Sequence, residues 1–197
     1  MRESNLIILT HGFPVQPGEE FLLDELEVTS AFFQRIWIFP NLMKTGAESR
    51  YVLASNVSIK GNDSDLIGTN FFLMYYRIIS VLLGEFFNIS SKRIYFKLFK
   101  FNLSLLKQSY LKALQIVSGI PLQGTTTIYS YWCDDLALTG AFCKLLRPEL
   151  KFISRGHGFD VFEEQSDFNY IFFRRFQLSQ LNRLWTVSKA GSEHLKL

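Results

Sequence analysis

Short unbroken apolar runs recur along this chain. Leu6-Ile7-Ile8-Leu9, Ile36-Trp37-Ile38-Phe39, Thr127-Ile128-Tyr129 and, less purely, Phe152-Ile153 and Leu184-Trp185-Thr186-Val187 are continuous rather than alternating. A strand wet on one face alternates apolar and polar residues; a continuous run belongs to a strand covered on both faces, as in a parallel sheet. Between the runs lie segments of helical character over residues 19–33, 134–146 and 168–181, with another opening at Lys189, and a weaker strand falls within 51–59. Alternation of strand and helix, joined by right-handed crossovers, predicts an α/β fold. The expected architecture is a Rossmann-like, doubly wound, mainly parallel sheet in one domain over 1–197, carrying a helical insertion at about residues 64–118. The one linker-like stretch is "IKGNDSD", residues 59–65.

Composition agrees with a folded globular chain. Of 197 residues 48% are hydrophobic and 20% charged, which excludes disorder and suffices for a sizeable core. Cys133 and Cys143 lack metal-type spacing and read as core residues in a reducing compartment. The N-terminal apolar run is only four residues long and is followed by no small-residue cleavage site, so it fails as a signal peptide. A cytoplasmic location is expected.

In an open parallel sheet, ligands sit beyond the carboxyl ends of the strands, so the turns there are where chemistry is sought. After the first strand comes "THGFPVQPGEEFLLDEL", with Gly12, Gly18 and Glu19 in the turn; it contains no GxGxxG. After the strand near Thr127 comes Tyr131-Trp132-Cys133-Asp134, in which Asp134 suits a helix N-cap and the aromatics either roof the sheet or face a ligand. After Phe152-Ile153 comes "SRGHGFDVFEE", where glycines bracket His157. A histidine at such a turn is placed to hydrogen-bond a ligand rather than simply to pack. Arg155 and Asp160 either pair with each other to anchor the loop or face the same ligand.

Taken in order, "NLIILTHGFP", "PGEEFLLDEL", "IYSYWCDDLALTGAF", "KFISRGHGFDVFEE" and "LNRLWTVSKAGSEHL" resemble the N-terminal half of a family 4 retaining glycosyltransferase of GT-B type. The likeness covers both ends of the chain, roughly half its residues; residues 40–120 match nothing beyond a helical insertion. It implies an acceptor-side domain, with a C-terminal nucleotide-sugar domain lying outside this chain. The implied donor is a nucleotide sugar, the implied acceptor a glycan or lipid-linked sugar, and neither metal nor organic cofactor is expected. By the same resemblance His157 touches the transferred sugar and is the catalytic candidate. Gly12, Gly18, Glu19, Trp132, Arg155 and Asp160 are the expected substrate-binding residues. Where many members have paired glycines this chain has Pro17-Gly18.

Charge adds a separate signal. Phe86 to Cys133 contains no Asp or Glu but includes Lys92, Arg93, Lys97, Lys100, Lys107 and Lys112, a local charge of +6 against +3 for the whole chain. Arg93, Lys97, Lys100 and Lys107 are spaced by 4, 3 and 7 and share one stripe if the segment is a single helix. Such a stripe fits either an anionic membrane surface, making the protein peripheral on the inner face of the cell membrane, or a plain solvated face. "LIGTNFFLMYYRIISVLLGEFFNI" is strongly apolar but is interrupted by Asn70, Arg77 and Glu85, and reads as a buried or interfacial helix. Two other classes remain as expectations to weigh: a non-catalytic membrane-docking α/β module and a nicotinamide enzyme. Against the latter stand the missing glycine fingerprint and Pro40-Asn41 where an acid should end the second strand. Basic residues interleaved with core-spaced phenylalanines, without a recognition motif, speak against nucleic acid.

Overall fold

The computed structural model describes residues 4–43, 48–61, 70–89, 92–121, 124–166 and 169–195. Six strands, β1 (Ser4–Thr10), β2 (Arg35–Pro40), β3 (Val57–Ile59), β4 (Thr125–Ser130), β5 (Lys151–Gly156) and β6 (Arg183–Thr186), form one open sheet in the order β3-β2-β1-β4-β5-β6. Every neighbouring pair is parallel. This is the doubly wound Rossmann-like order, with its reversal between β1 and β4.

The continuous runs have the anticipated cause. Along β1, Ile7 and Leu9 enter one core with Trp37, Phe39, Ile128 and Phe152, while Leu6 and Ile8 enter a second with Ile36, Ile38 and Tyr129. Alternate side chains point to opposite faces of a strand, so with both faces covered successive positions of the run are all apolar. The second core is closed by α1 (Leu22–Ser30), the first by α2 (Phe71–Asn88), α4 (Phe99–Gly119) and α5 (Asp135–Leu146). The short α3 (Lys92–Lys97) precedes α4, and α6 (Arg174–Gln180) and α7 (Lys189–His194) complete the chain. Both cysteines are free and buried.

Several boundaries differ from the sequence expectation. The helix anticipated over 19–33 is α1 alone, because Glu19 and Glu20 belong to the turn before it. The one anticipated over 168–181 is only α6; Phe173 has φ +59 and Asn169 φ +48, a left-handed backbone that an α-helix cannot contain. Residue 168 lies outside the described residues, as do 62–65 of the linker and 64–69 and 90–91 of the insertion. The basic segment is not one helix: α3 and α4 are separated at Leu98 (φ −103, ψ 12). Arg93, Lys97, Lys100 and Lys107 are all exposed, whereas Lys112, further along α4, turns inward and is buried.

Candidate functional site

Because β1, β4 and β5 are neighbours, the turns that follow them meet at one edge of the sheet. The β1 turn folds around Glu19. Its carboxylate, only 5% exposed, accepts the backbone amides of His11 (3.2 Å), Gly12 (2.7 Å) and Phe13 (2.9 Å) and the indole Nε1–H of Trp132 from the β4 turn (2.7 Å). Gly18 has φ +113, and its amide donates to the Glu20 carboxylate at 3.0 Å. Free amides in a strand-to-helix turn make an anion cradle. Here a side chain of the same loop fills that cradle, so Gly12 and Gly18 shape the turn and offer those amides to no outside phosphate.

Trp132 passes the contact on to the β5 turn: its ring lies 4.2 Å from that of His157 and 5.3 Å from that of Phe159, centroid to centroid. Gly156 and Gly158 let the β5 turn fold closely onto its own later residues. A Cβ on Gly156 would stand 2.8 Å from Val161, and one on Gly158 2.5 Å from Gln165. Buried Asp160 ties the β4 and β5 turns together, accepting the amide of Cys133 at 2.8 Å and that of His157. Below them α6 acts as a clamp. Arg174 donates to the carbonyls of Cys133 and Asp160, and Gln177 to that of Asp134.

His157 is largely covered, with 16% of its side chain exposed. Its Nδ1 is buried, lacks a hydrogen-bond partner among the described residues, and stands 3.6 Å from an Asp160 oxygen. Burial lowers the imidazole pKa below its ordinary value against the opposing pull of Asp160. Burial likewise raises the Asp160 carboxyl, against the amides it accepts. The ring is therefore neutral near pH 7 and able to donate through one nitrogen and accept through the other.

Arg155 resolves the alternative left open by the sequence. It pairs with Glu25 of α1 at 3.0 Å and with the Tyr131 hydroxyl at 3.2 Å, its guanidinium 4.9 Å from the centre of the Tyr131 ring, and does not pair with Asp160. Its contacts are those of a strut between sheet and helix.

Sequence reasoning missed a second group, at the β1/β4 reversal itself. His11 Nε2 lies 2.8 Å from Asp134 and 3.9 Å from Asp135. Burial alone would lower the His11 pKa, but the Asp134 hydrogen bond and charge, with Asp135 and Glu19, lift it to about 9. Asp135 is raised to about 6 by burial and by adjacent Asp134. Asp135 also accepts from Asn41 Nδ2 at 2.9 Å, and Asn41 in turn accepts from the buried ammonium of Lys112, whose pKa burial lowers to about 8. Each of His11, Asp134 and Asp135 offers one ligand atom within 4.8 Å of the others, a set able to hold a divalent cation or, as the raised His11 pKa expresses, a proton. Asp134 also caps α5, accepting the Leu136 amide at 2.9 Å, as the sequence suggested. The available signals were His11 beside Gly12 at a strand end and the doubled acid opening α5.

Over this edge lies a cavity of about 610 Å³, walled by Asp134, Asp135 and Asp160 with Phe101, Phe159 and Gln165. No lysine or arginine lines it among the described residues, and neither Gly18 nor His157 reaches its wall. A neighbouring cavity of about 320 Å³ shares Asp135 and is lined by Asn41 and Lys112. The chain matches no protein-family model and no curated protein.

Proposed function

We propose that this domain is the acceptor half of a retaining glycosyltransferase, moving a sugar from a nucleotide-sugar donor to a glycan or lipid-linked acceptor. The observation that carries the reading is the cavity at the sheet's carboxyl edge, with three aspartates and three phenylalanines on its wall and no lysine or arginine among the described lining residues. A phosphate would be repelled there. A neutral polyol suits it: carboxylate oxygens accept hydroxyl protons, and aromatic faces cover the apolar C–H side of a sugar ring. The self-filled amide cradle of the β1 turn fits the same division of labour, since it leaves the donor's phosphates to a second domain.

In this reading Asp134 and Asp135 orient acceptor hydroxyls, and Asp160 holds the β5 turn so that neutral His157 hydrogen-bonds the sugar in transfer. His157 serves positioning and transition-state stabilisation. The donor's own phosphate helps take up the acceptor proton, and the reading requires neither metal nor organic cofactor from this domain. A non-catalytic membrane-docking module is the second reading, favoured by the exposed apolar face of α2.

The test offers the full-length protein uridine- and guanosine-diphosphate sugars with short glycans and lipid-linked monosaccharides, and follows the anomeric configuration of any product by NMR. Transfer with retention supports the proposal. Absence of transfer from every donor refutes it, and leaves the docking module standing if the protein still binds vesicles.

A further inference from the structure

The outer face of α2 is inverted relative to an ordinary surface helix. A helix at the edge of a soluble domain turns its apolar stripe inward and its charges to water. In α2 the inward stripe Met74, Ile78 and Leu82 is buried as usual, but the charges turn inward too, Glu85 buried and Arg77 half-buried. Arg77 points to the Tyr110 hydroxyl at 3.2 Å, and Glu85 is buried, accepting the Tyr170 hydroxyl at 2.6 Å and the Phe173 amide at 2.9 Å. What faces outward is Phe72, Tyr76, Ile79, Leu83 and Phe87, recurring at intervals of four and three so that they share one side of the helix, with Phe72 84% and Phe87 75% exposed. No charged residue of α2 interrupts this side. Contiguous exposed apolar surface on a folded domain marks a contact with something apolar.

Charge identifies the contact. At the C-terminal end of α2 the apolar side continues through ring contacts from Phe87 to Phe86 (5.5 Å) and from Phe86 to Phe96 of α3 (5.7 Å), Phe96 itself being exposed. Around Phe96 stand the exposed cations Arg93, Lys97 and Lys100, with Lys107 one further step along α4, and no acid occurs between Phe86 and Cys133. A protein partner matched to the apolar stripe alone would not require this acid-free rim. A bilayer with anionic headgroups requires both: acyl chains for the phenylalanines and phosphates for the cations.

We infer that α2, α3 and the first turn of α4 form a docking face by which the domain lies on an anionic membrane, Phe72, Ile79, Leu83 and Phe87 entering the headgroup–acyl boundary while Arg93, Lys97 and Lys100 pair with lipid phosphates. The helix lies in the plane of the surface. By length and composition α2 could cross a membrane, but its inner stripe and both its charges are already packed against α4 and the α6 region. This inference is independent of the glycosyl-transfer reading, since the face is distinct from the carboxyl-edge cavity. If both hold, the acceptor is a lipid-linked sugar met on the same surface.

The test is sedimentation of the chain with phosphatidylglycerol-containing and pure phosphatidylcholine vesicles, at low and high salt. Two variants accompany it: Phe72, Ile79, Leu83 and Phe87 all to Ser, and Arg93, Lys97, Lys100 and Lys107 all to Gln. All eight side chains are exposed, so wild-type circular dichroism is expected of both variants. Wild type should bind the anionic vesicles and bind less at high salt, because exposed charges are screened beyond about 8 Å at physiological ionic strength. The Gln variant should bind at least about a hundredfold more weakly at low salt, each cation contributing about fivefold, and the Ser variant should lose binding at any salt. Failure of wild type to sediment with anionic vesicles at low salt overturns the inference, as does undiminished binding by the Ser variant. A wild-type dimer that the Ser variant converts to monomer, with vesicles ignored, assigns the face to a second copy and overturns it as well.

Discussion

Glu19→Gln is the sharpest perturbation of the edge. The side chain keeps its shape and loses its charge, yet it must still face four N–H donors. In wild type Oε1 takes the His11 amide and the Trp132 indole, and Oε2 takes the Gly12 and Phe13 amides. A glutamine has to place its own NH2 group at one of those two positions, where it meets two donors and accepts from neither. Hydrogen bonds to charged acceptors contribute about 1.5–3 kcal/mol each, so losing two costs about 3–6 kcal/mol. Removing a buried charge recovers part of its desolvation cost and puts the net loss near the lower bound, about 3 kcal/mol. For a domain of this size that lowers the melting temperature by about 6–12 °C. Thermal melts followed by circular dichroism, with urea titrations alongside, read the effect, and Glu20→Gln is the control. Glu20 is exposed and, among the described residues, takes local amides of its own turn, that of Gly18 among them, so its variant should melt with wild type. A Glu19→Gln melt indistinguishable from wild type, or an equal loss in Glu20→Gln, would refute the claim that this carboxylate holds the β1 and β4 turns together.

Titration of the His11 ring by NMR should give a midpoint near 9, and Asp134→Asn, which still caps α5, should move it down toward 6.5. The folded pKa lies above the unfolded one, so the pair's stabilisation is complete below pH 6.5 and vanishes as pH rises through about 9; the wild-type advantage over Asp134→Asn should shrink across that window. A wild-type midpoint at 6.5 would contradict the pairing. Gly140→Ala sets two effects against each other: alanine favours a helix interior by about 1 kcal/mol, but its Cβ would stand 2.3 Å from a ring carbon of fully buried Phe152. Overpacking costs up to about 3 kcal/mol, so we expect a net loss of about 2 kcal/mol by urea denaturation; a gain in stability would show that α5 can ride away from the sheet.

The sheet was readable from sequence because its cause is local: a strand covered on both faces leaves an unbroken apolar run, and Leu6 to Leu9 or Ile36 to Phe39 need no long-range knowledge to recognise. The weak strand within 51–59 shrank to β3, since as an edge strand it is only partly covered. Helix ends were less legible. Glu19 has the composition of a first turn, but its carboxylate reaches back into the loop, and no local pattern announces that Phe173 takes a left-handed backbone. At the carboxyl edge, His157, Trp132, Glu19 and Asp160 drew notice in the sequence because they stand in glycine-rich or aromatic turns at strand ends, and their substrate-binding roles rest on the resemblance. The His11–Asp134 and Lys112–Asn41 contacts span 123 and 71 residues and were not. Lys112 illustrates why: it follows Lys107 in an acid-free stretch and reads as surface charge, yet it turns inward to Asn41 at the end of β2.

The measurement that bears most directly on the central claim is sugar transfer by the full-length protein with His157 intact and with His157→Ala, at saturating donor and acceptor. The imidazole is mostly covered and rests against Trp132 beside Asp160, so the variant should melt below wild type, and the assay is run at a temperature where circular dichroism shows it folded. Its turnover should fall by roughly a hundredfold or more, the cost of one preorganised transition-state hydrogen bond at about 2.7–4 kcal/mol. A folded His157→Ala protein that turns over at the wild-type rate would contradict the assignment of the β5 turn to the reacting sugar.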